Sequence, residues 1–140
     1  MRAIGLDVGT KTIGVAVSDE LYLTAQPLVT VRRDGLKRDL AELKRLAGEH
    51  EAAQWIVGLP LNMNGTEGDR AKDSRKLGDA IGEVTSLPVV YWDERLSTVE
   101  AERVLLEGDV SRKKRKLVID KLAASVILQG WLDSRPRSEE

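Results

Sequence analysis

Three carboxylates stand where folding alone has little use for a charge. Asp7 lies in the run GLDVGTKTIGVAVSD, residues 5–19, among apolar or very small neighbours. Alternation sets Ile4, Leu6 and Val8 on one face of a strand and Ala3, Gly5 and Asp7 on the other. Asp120 shares a helical stripe with Leu117, Ala123, Ala124, Ile127 and Trp131, where an apolar residue is expected. Glu94, in WDERLST, falls at the carboxyl end of a predicted strand, and its neighbour Asp93 competes for the same role.

A carboxylate taken out of water costs several kcal/mol unless it is paired, hydrogen-bonded or metal-bound. If Asp7, Glu94 and Asp120 converge, each pair repels by ~4 kcal/mol at 4 Å and an effective dielectric near 20. Bound divalent cations relieve that repulsion. Hard oxygen ligands select Mg²⁺ or Mn²⁺, and two such ions can hold a phosphate, activate water and stabilise a leaving oxygen. On this reading Asp7, on a rigid strand, bridges the ions and Asp120 completes the site from the helix. Each residue also has a purely structural alternative. Asp7 can accept backbone N–H groups of the Gly9 turn, Glu94 can pair with Arg95 or Arg103, and Asp120 with Lys116 or Lys121.

Cations and amides lie near these positions in the chain. Arg112, Lys113, Lys114, Arg115 and Lys116 end one helical turn before Asp120, so a nucleic-acid phosphate held there lies close to the proposed ions; the alternative is a solvated face. Lys11, Thr12 and Arg95 are further candidate backbone contacts. Asn62 and Asn64, with Gly65 and Gly68, form a loop that either closes over substrate or is an ordinary connection. Trp55 and Trp92 read as core or strand-face residues, and His50, in GEHEA, as a solvated side chain.

The elements that must position these groups follow from periodicity. Ile13, Val15 and Val17 alternate on a hairpin partner strand after the Gly9-Thr10-Lys11 turn, and a third strand is expected through PLVTVRR. Asp34 is the expected N-cap of an amphipathic helix carrying Leu36, Leu40, Leu43 and Ala47 and ending near Glu49. QWIVGLP is a buried strand, LNMNGTEGDRAKDS a loop, and Leu77, Ile81 and Val84 mark a second helix. PVVYWDER is a fifth strand, Ser97 and Glu100 a capping box opening a helix to Gly108, and a last helix runs from about Lys116 to Asp133. The result is an α/β domain, a mixed sheet with helices on its faces, over residues 1–134, with a flexible tail over 135–140.

With 22 Lys and Arg against 23 Asp and Glu, any nucleic-acid surface must be a local patch. The absence of cysteine excludes disulfides, thiolate zinc and thiol nucleophiles, and one histidine gives a histidine-based triad or metal site poor support. No run approaches the ~20 apolar residues of a membrane span, so a soluble, cytoplasmic protein is expected.

LDVGTKTIGVAVSD, VGLPLNMNGTEG, DERLST and IDKLAASVILQGWLD occur in the order and spacing of the YqgF/RuvX family, which the chain resembles over nearly its whole length. The resemblance implies a ribonuclease H-like five-stranded mixed sheet, three antiparallel strands followed by two parallel ones. It also implies divalent-metal phosphodiester hydrolysis, acting on precursor 16S ribosomal RNA or four-way DNA junctions. The family's acidic positions fall on Asp7, Glu94 and Asp120; Thr12 departs from the basic residue many relatives carry there. A junction resolvase needs two coordinated cuts, hence a homodimer. The competing function is a non-catalytic nucleic-acid-binding factor in ribosome assembly or transcription. An actin-like phosphotransferase is disfavoured, because it would need two domains around a nucleotide.

Overall fold

The computed structural model describes residues 1–96 and 112–136, without the side chains of 112–117. Strands β1 (Arg2–Val8), β2 (Thr12–Ser18) and β3 (Ala25–Arg32) form an antiparallel meander, and β4 (Ala52–Leu59) and β5 (Val89–Asp93) extend it on the other side of β1 in parallel. The five strands lie in the order β3-β2-β1-β4-β5, which puts β1 at the centre. Helices α1 (Leu36–Glu49) and α2 (Asp69–Thr85) cover one face and α3 (Arg112–Ser134) the other. None of the described helices is long and apolar enough to cross a membrane.

The two-residue alternation of β1 and β2 separates the two cores. Ile4, Leu6, Val8, Ile13 and Val15 pack with Leu43, Leu46, Leu77 and Ile81 under α1 and α2, and the buried Trp55 joins them, its indole N–H donating to Thr85 at 3.0 Å. On the opposite face Ala3, Ala16 and Ile56 meet Ala123, Ala124, Ile127 and Leu128 of α3. The buried stripe of α3 runs through Ile119, Ala123, Ala124, Ile127, Leu128 and Leu132, whereas Trp131 is half-buried, edge-on to Tyr22.

Several boundaries differ from the expectations, each for a local reason. β3 begins at Ala25, two residues before PLVTVRR. Asp34 is not the N-cap of α1: Gly35 takes that position at φ +91°, a backbone that favours glycine, and the Asp34 carboxylate pairs with Arg38 at 2.8 Å. Asp39 reaches back instead, accepting the Asp34 N–H at 2.8 Å. α2 starts at Asp69, so the second half of the expected loop is helical; its buried face uses Ala71, Ser74 and Gly78, small residues without a hydrophobic signal, and Val84 is exposed. His50 follows α1 as its C-cap, with Glu49 3.7 Å away. The described part of α3 already includes Arg112, so the basic run is helical, as suits Lys and Arg, which are good helix formers. The helix expected from Ser97 to Gly108 and the tail beyond Pro136 lie outside the described residues.

Helix α3 lies directly on the glycines of the sheet. A Cβ at Gly5 would come within 2.7 Å of Leu128 Cβ, and one at Gly14 would run into the Asp120 carbonyl. Helix packing therefore accounts for the small residues around Asp7. Gly14→Ala is expected to destabilise the fold by about 3 kcal/mol, since the atom it strikes is helix backbone. Gly48→Ala, in open space on α1, should change stability by no more than ~1 kcal/mol, in the stabilising direction. Urea denaturation of the two variants checks the contrast.

Candidate nucleic-acid-cleaving site

The close seat of α3 brings the sequence-predicted carboxylates to one face. Asp7, 2% exposed, stands directly opposite Gly14 in the β1–β2 register, and Gly14 is the residue on which the Asp120 backbone rests. On the other flank Leu6 pairs with Val57, so Gly58 is the next residue along β4, and the Glu94 carboxylate lies over it: a Cβ at Gly58 would be 2.8 Å from Glu94 Oε2. β1, β2, β4 and the segment after β5 thus place Asp7, Gly14, Gly58 and Glu94 with the same side-chain parity, facing α3.

Asp120 is half-buried, and its Oδ2 accepts a hydrogen bond from the Thr12 hydroxyl. Thr12 is itself buried. It lies inside the carboxylate face and orients Asp120 rather than standing at the surface of the turn. No local signal in the sequence pairs residues 108 positions apart.

Asp93 and Glu94 separate cleanly. Asp93 shares the parity of Tyr91 and is gripped by Arg95, with Nη2 donating at 2.7 Å and the Arg95 N–H at 2.9 Å. The Arg95 hydrogen bond holds the Asp93 carboxyl below its ordinary range. Glu94 begins a single 3-10 turn, Glu94–Leu96, and turns to the Asp7 face.

The expected backbone contacts divide as well. Lys11 is exposed on the turn after β1. That turn is closed by the Gly9 N–H donating to the Thr12 carbonyl at 2.8 Å, so the Gly9 amide is not spent on Asp7. Asn62 Nδ2 donates to Thr66 Oγ1 at 2.9 Å, and Asn64 Oδ1 accepts from the Thr66 N–H at 3.1 Å, so both amides build the loop they belong to. Arg95 Nη1 donates to the Met63 carbonyl at 3.1 Å and fastens this loop beside Glu94. Arg112, Lys113, Lys114 and Arg115 are in the first turns of α3; their side chains are outside the described set.

Among the described residues, no three His, Cys, Asp or Glu side chains close into a metal-holding group. The three carboxylates share a face without forming a finished cage. On the far side of the β1 end an open pocket of about 420 Å³ is lined by Val8, Gly9, Thr10, Arg33, Asp69, Arg70 and Asp73. Arg33 spans it, bound to Asp73 at 2.7 Å; that bond is the main reason its guanidinium is held above its ordinary pKa. Sequence reading singled out neither Arg33 nor Asp73.

The family model described as "RuvX: Holliday junction resolvase" matches residues 1–134. A protein of Myxococcus xanthus named "Putative pre-16S rRNA nuclease" is 60% identical over 134 residues, covering 96% of this chain and 89% of its own. A Symbiobacterium thermophilum protein of the same name is 58% identical over 135 residues, covering 96% and 94%. Among solved structures, T. thermophilus RuvC in complex with Holliday junction substrate superposes with a TM-score of 0.60 at 14% identity, over 95% of this chain and 96% of that one. That likeness establishes a resolvase-like, ribonuclease H-type fold. With its matching motifs, its sheet order and relatives more than half identical over nearly their whole length, this chain belongs to the RuvX family, whose members carry the names of Holliday junction resolvases and pre-16S rRNA nucleases.

Proposed function

We propose that this protein is a divalent-metal-dependent endonuclease of structured nucleic acid, with Asp7, Glu94 and Asp120 as its catalytic carboxylates. The observation that carries this is their delivery to one face by three separate elements, through a helix-backbone contact at Gly14 that leaves no room for any side chain and the Glu94 carboxylate laid against Gly58. Precursor 16S ribosomal RNA, trimmed in the cytoplasm, is the substrate favoured by the relatives' names, and branched DNA is the second.

The donor set suits Mg²⁺ or Mn²⁺. All three side chains offer hard oxygens, and Mg²⁺ is commonly held by one or two carboxylates together with waters and substrate phosphate, so a dedicated three-ligand cage is not required. A pair of ions, when bound, would neutralise the scissile phosphate and lower the pKa of an attacking water. The chain supplies the rest. Asp7 is immobilised on the central strand, with hydrogen-bonded neighbours on both sides. Thr12 fixes the direction of Asp120. Arg95 ties the 60–68 loop to the end of β5, so that loop and Glu94 flank the same edge. Lys11 and the basic start of α3 extend the site along the backbone; Arg112 lies ~12 Å from Asp120 along the helix axis. Acting on a junction would call for a symmetric dimer with two such faces.

Asp7→Asn, Glu94→Gln and Asp120→Asn should each slow Mn²⁺-supported cleavage at least ~100-fold, since loss even of an outer-sphere partner typically costs 10- to 100-fold. The assay compares precursor rRNA and four-way junction DNA side by side; wild-type rates in the Asp7 and Asp120 variants on both would remove the assignment. Thr12→Val should cost about 1–2 kcal/mol of stability by stripping Asp120 of a charge-assisted hydrogen bond, and should reduce cleavage, while Thr12→Ser retains both. Thermal denaturation and initial rates measure the pair.

A further inference from the structure

We propose that Arg33 is a positioning residue for this reaction, holding the Gly9–Lys11 turn in place between Asp7 and Thr12 from the side of the sheet opposite the carboxylates. The inference rests on the nuclease reading above and adds to it the means by which the face is kept in register.

The turn is the short link between the two site residues of the first hairpin. Asp7 precedes Gly9 by two residues, and Thr12 directly follows Lys11. Within the turn, the Gly9 N–H to Thr12 carbonyl bond closes the ring at 2.8 Å. Arg33 then engages both of its ends. Its backbone N–H donates to the Lys11 carbonyl at 2.9 Å, and its Nη1 donates to the Gly9 carbonyl at 2.6 Å.

The guanidinium is in turn anchored to the helical layer. Nη1 and Nη2 donate to the two oxygens of Asp73 on α2, at 2.7 and 3.4 Å, and Nε lies 3.7 Å from the buried Asp39 of α1. Asp39 is held through its other oxygen by the Asp34 N–H. One planar group therefore joins the turn to both helices. A lysine ammonium has neither the reach in several directions nor the fixed fork needed to replace it. Arg70 also approaches the strand end, but its Nη2 lies 3.4 Å from the Val8 carbonyl, a weaker tie.

A displaced turn moves Asp7 at one end and the Thr12 hydroxyl, with Asp120, at the other. The signature of such a role is lost turnover and weakened metal use with little change in substrate binding. The test measures kcat, KM, the Mn²⁺ concentration for half-maximal rate and the thermal midpoint, for full-length Arg33→Lys, Asp73→Asn and the double variant. Arg38→Ala, which breaks an exposed pair on α1, is the charge-loss control and should behave as wild type.

Arg33→Lys should lower kcat about 10- to 100-fold and raise the Mn²⁺ requirement, with KM within about twofold. Asp73→Asn should lose less in the same direction, and the double variant should be no worse than Arg33→Lys alone. Wild-type kcat in Arg33→Lys overturns the proposal. So does a loss accounted for by the unfolded fraction at the assay temperature, or losses that multiply in the double variant. If the wild-type protein cleaves and Asp7→Asn does not, while Arg33→Lys does, the positioning role alone falls. Wild-type protein that cuts neither substrate removes the nuclease reading and the role of Arg33 with it.

Discussion

The direct seating of α3 on the glycines of the sheet is the constraint from which the site follows. A helix on an ordinary sheet face is held off by the side chains between them. Here Gly14 admits the Asp120 carbonyl and Gly5 admits the Leu128 side chain, so the helix backbone comes down onto β1 and β2. The residue opposite Gly14 is Asp7. A carboxylate from a strand and one from a helix, 113 residues later in the chain, are thereby brought to the same face. On the other flank Gly58 leaves space for the ends of the Ile127 and Glu94 side chains. Packing of this kind is steep in energy and short in range, so it sets positions more sharply than long-range attraction among charges could.

The two faces of the sheet divide labour. Under α1 and α2 the apolar residues of β1, β2 and β4 build the larger core around Trp55, Leu43 and Leu77. On that side charges occur in satisfied sets, among them Arg33 with Asp39 and Asp73, and Arg75 with Glu67 at 2.8 Å. The α3 face carries the carboxylates of the proposed site, and its apolar content is smaller, four alanines with Ile56, Ile127, Leu128 and Leu132. β1 belongs to both faces: Leu6 and Val8 point into one core, while Asp7 points away from it.

Much of this was legible in the residues. Period-two alternation located β1 and β2 and put Asp7 on the small-residue face; helical spacing placed Asp120 on the docked side of its helix. The differences have separate local causes. Periodicity does not reveal the first turns of α2, because Ala71, Ser74 and Gly78 make a buried face without apolar bulk, and it does not fix the start of α1, because a positive-φ glycine takes the cap that Asp34 is suited to. The partner of Asp120 and the clamp on the β1–β2 turn were invisible, since both are contacts between distant segments that leave no periodicity. The same holds for the different directions taken by Asp93 and Glu94, which follow from strand parity and the grip of Arg95 on Asp93.

The glycine seam beneath α3 also divides the molecule by how freely it can drift. Along the outer surface of α1, where Gly48 faces open space and Arg38 pairs in solvent, one residue type can give way to another with little consequence. At Gly14 the first atom of any side chain meets helix backbone, so a single change there strikes the architecture and the proposed site together. A lineage carrying this fold can vary its helical exterior while the line between sheet and α3 is held nearly fixed, without any selection acting on catalysis itself.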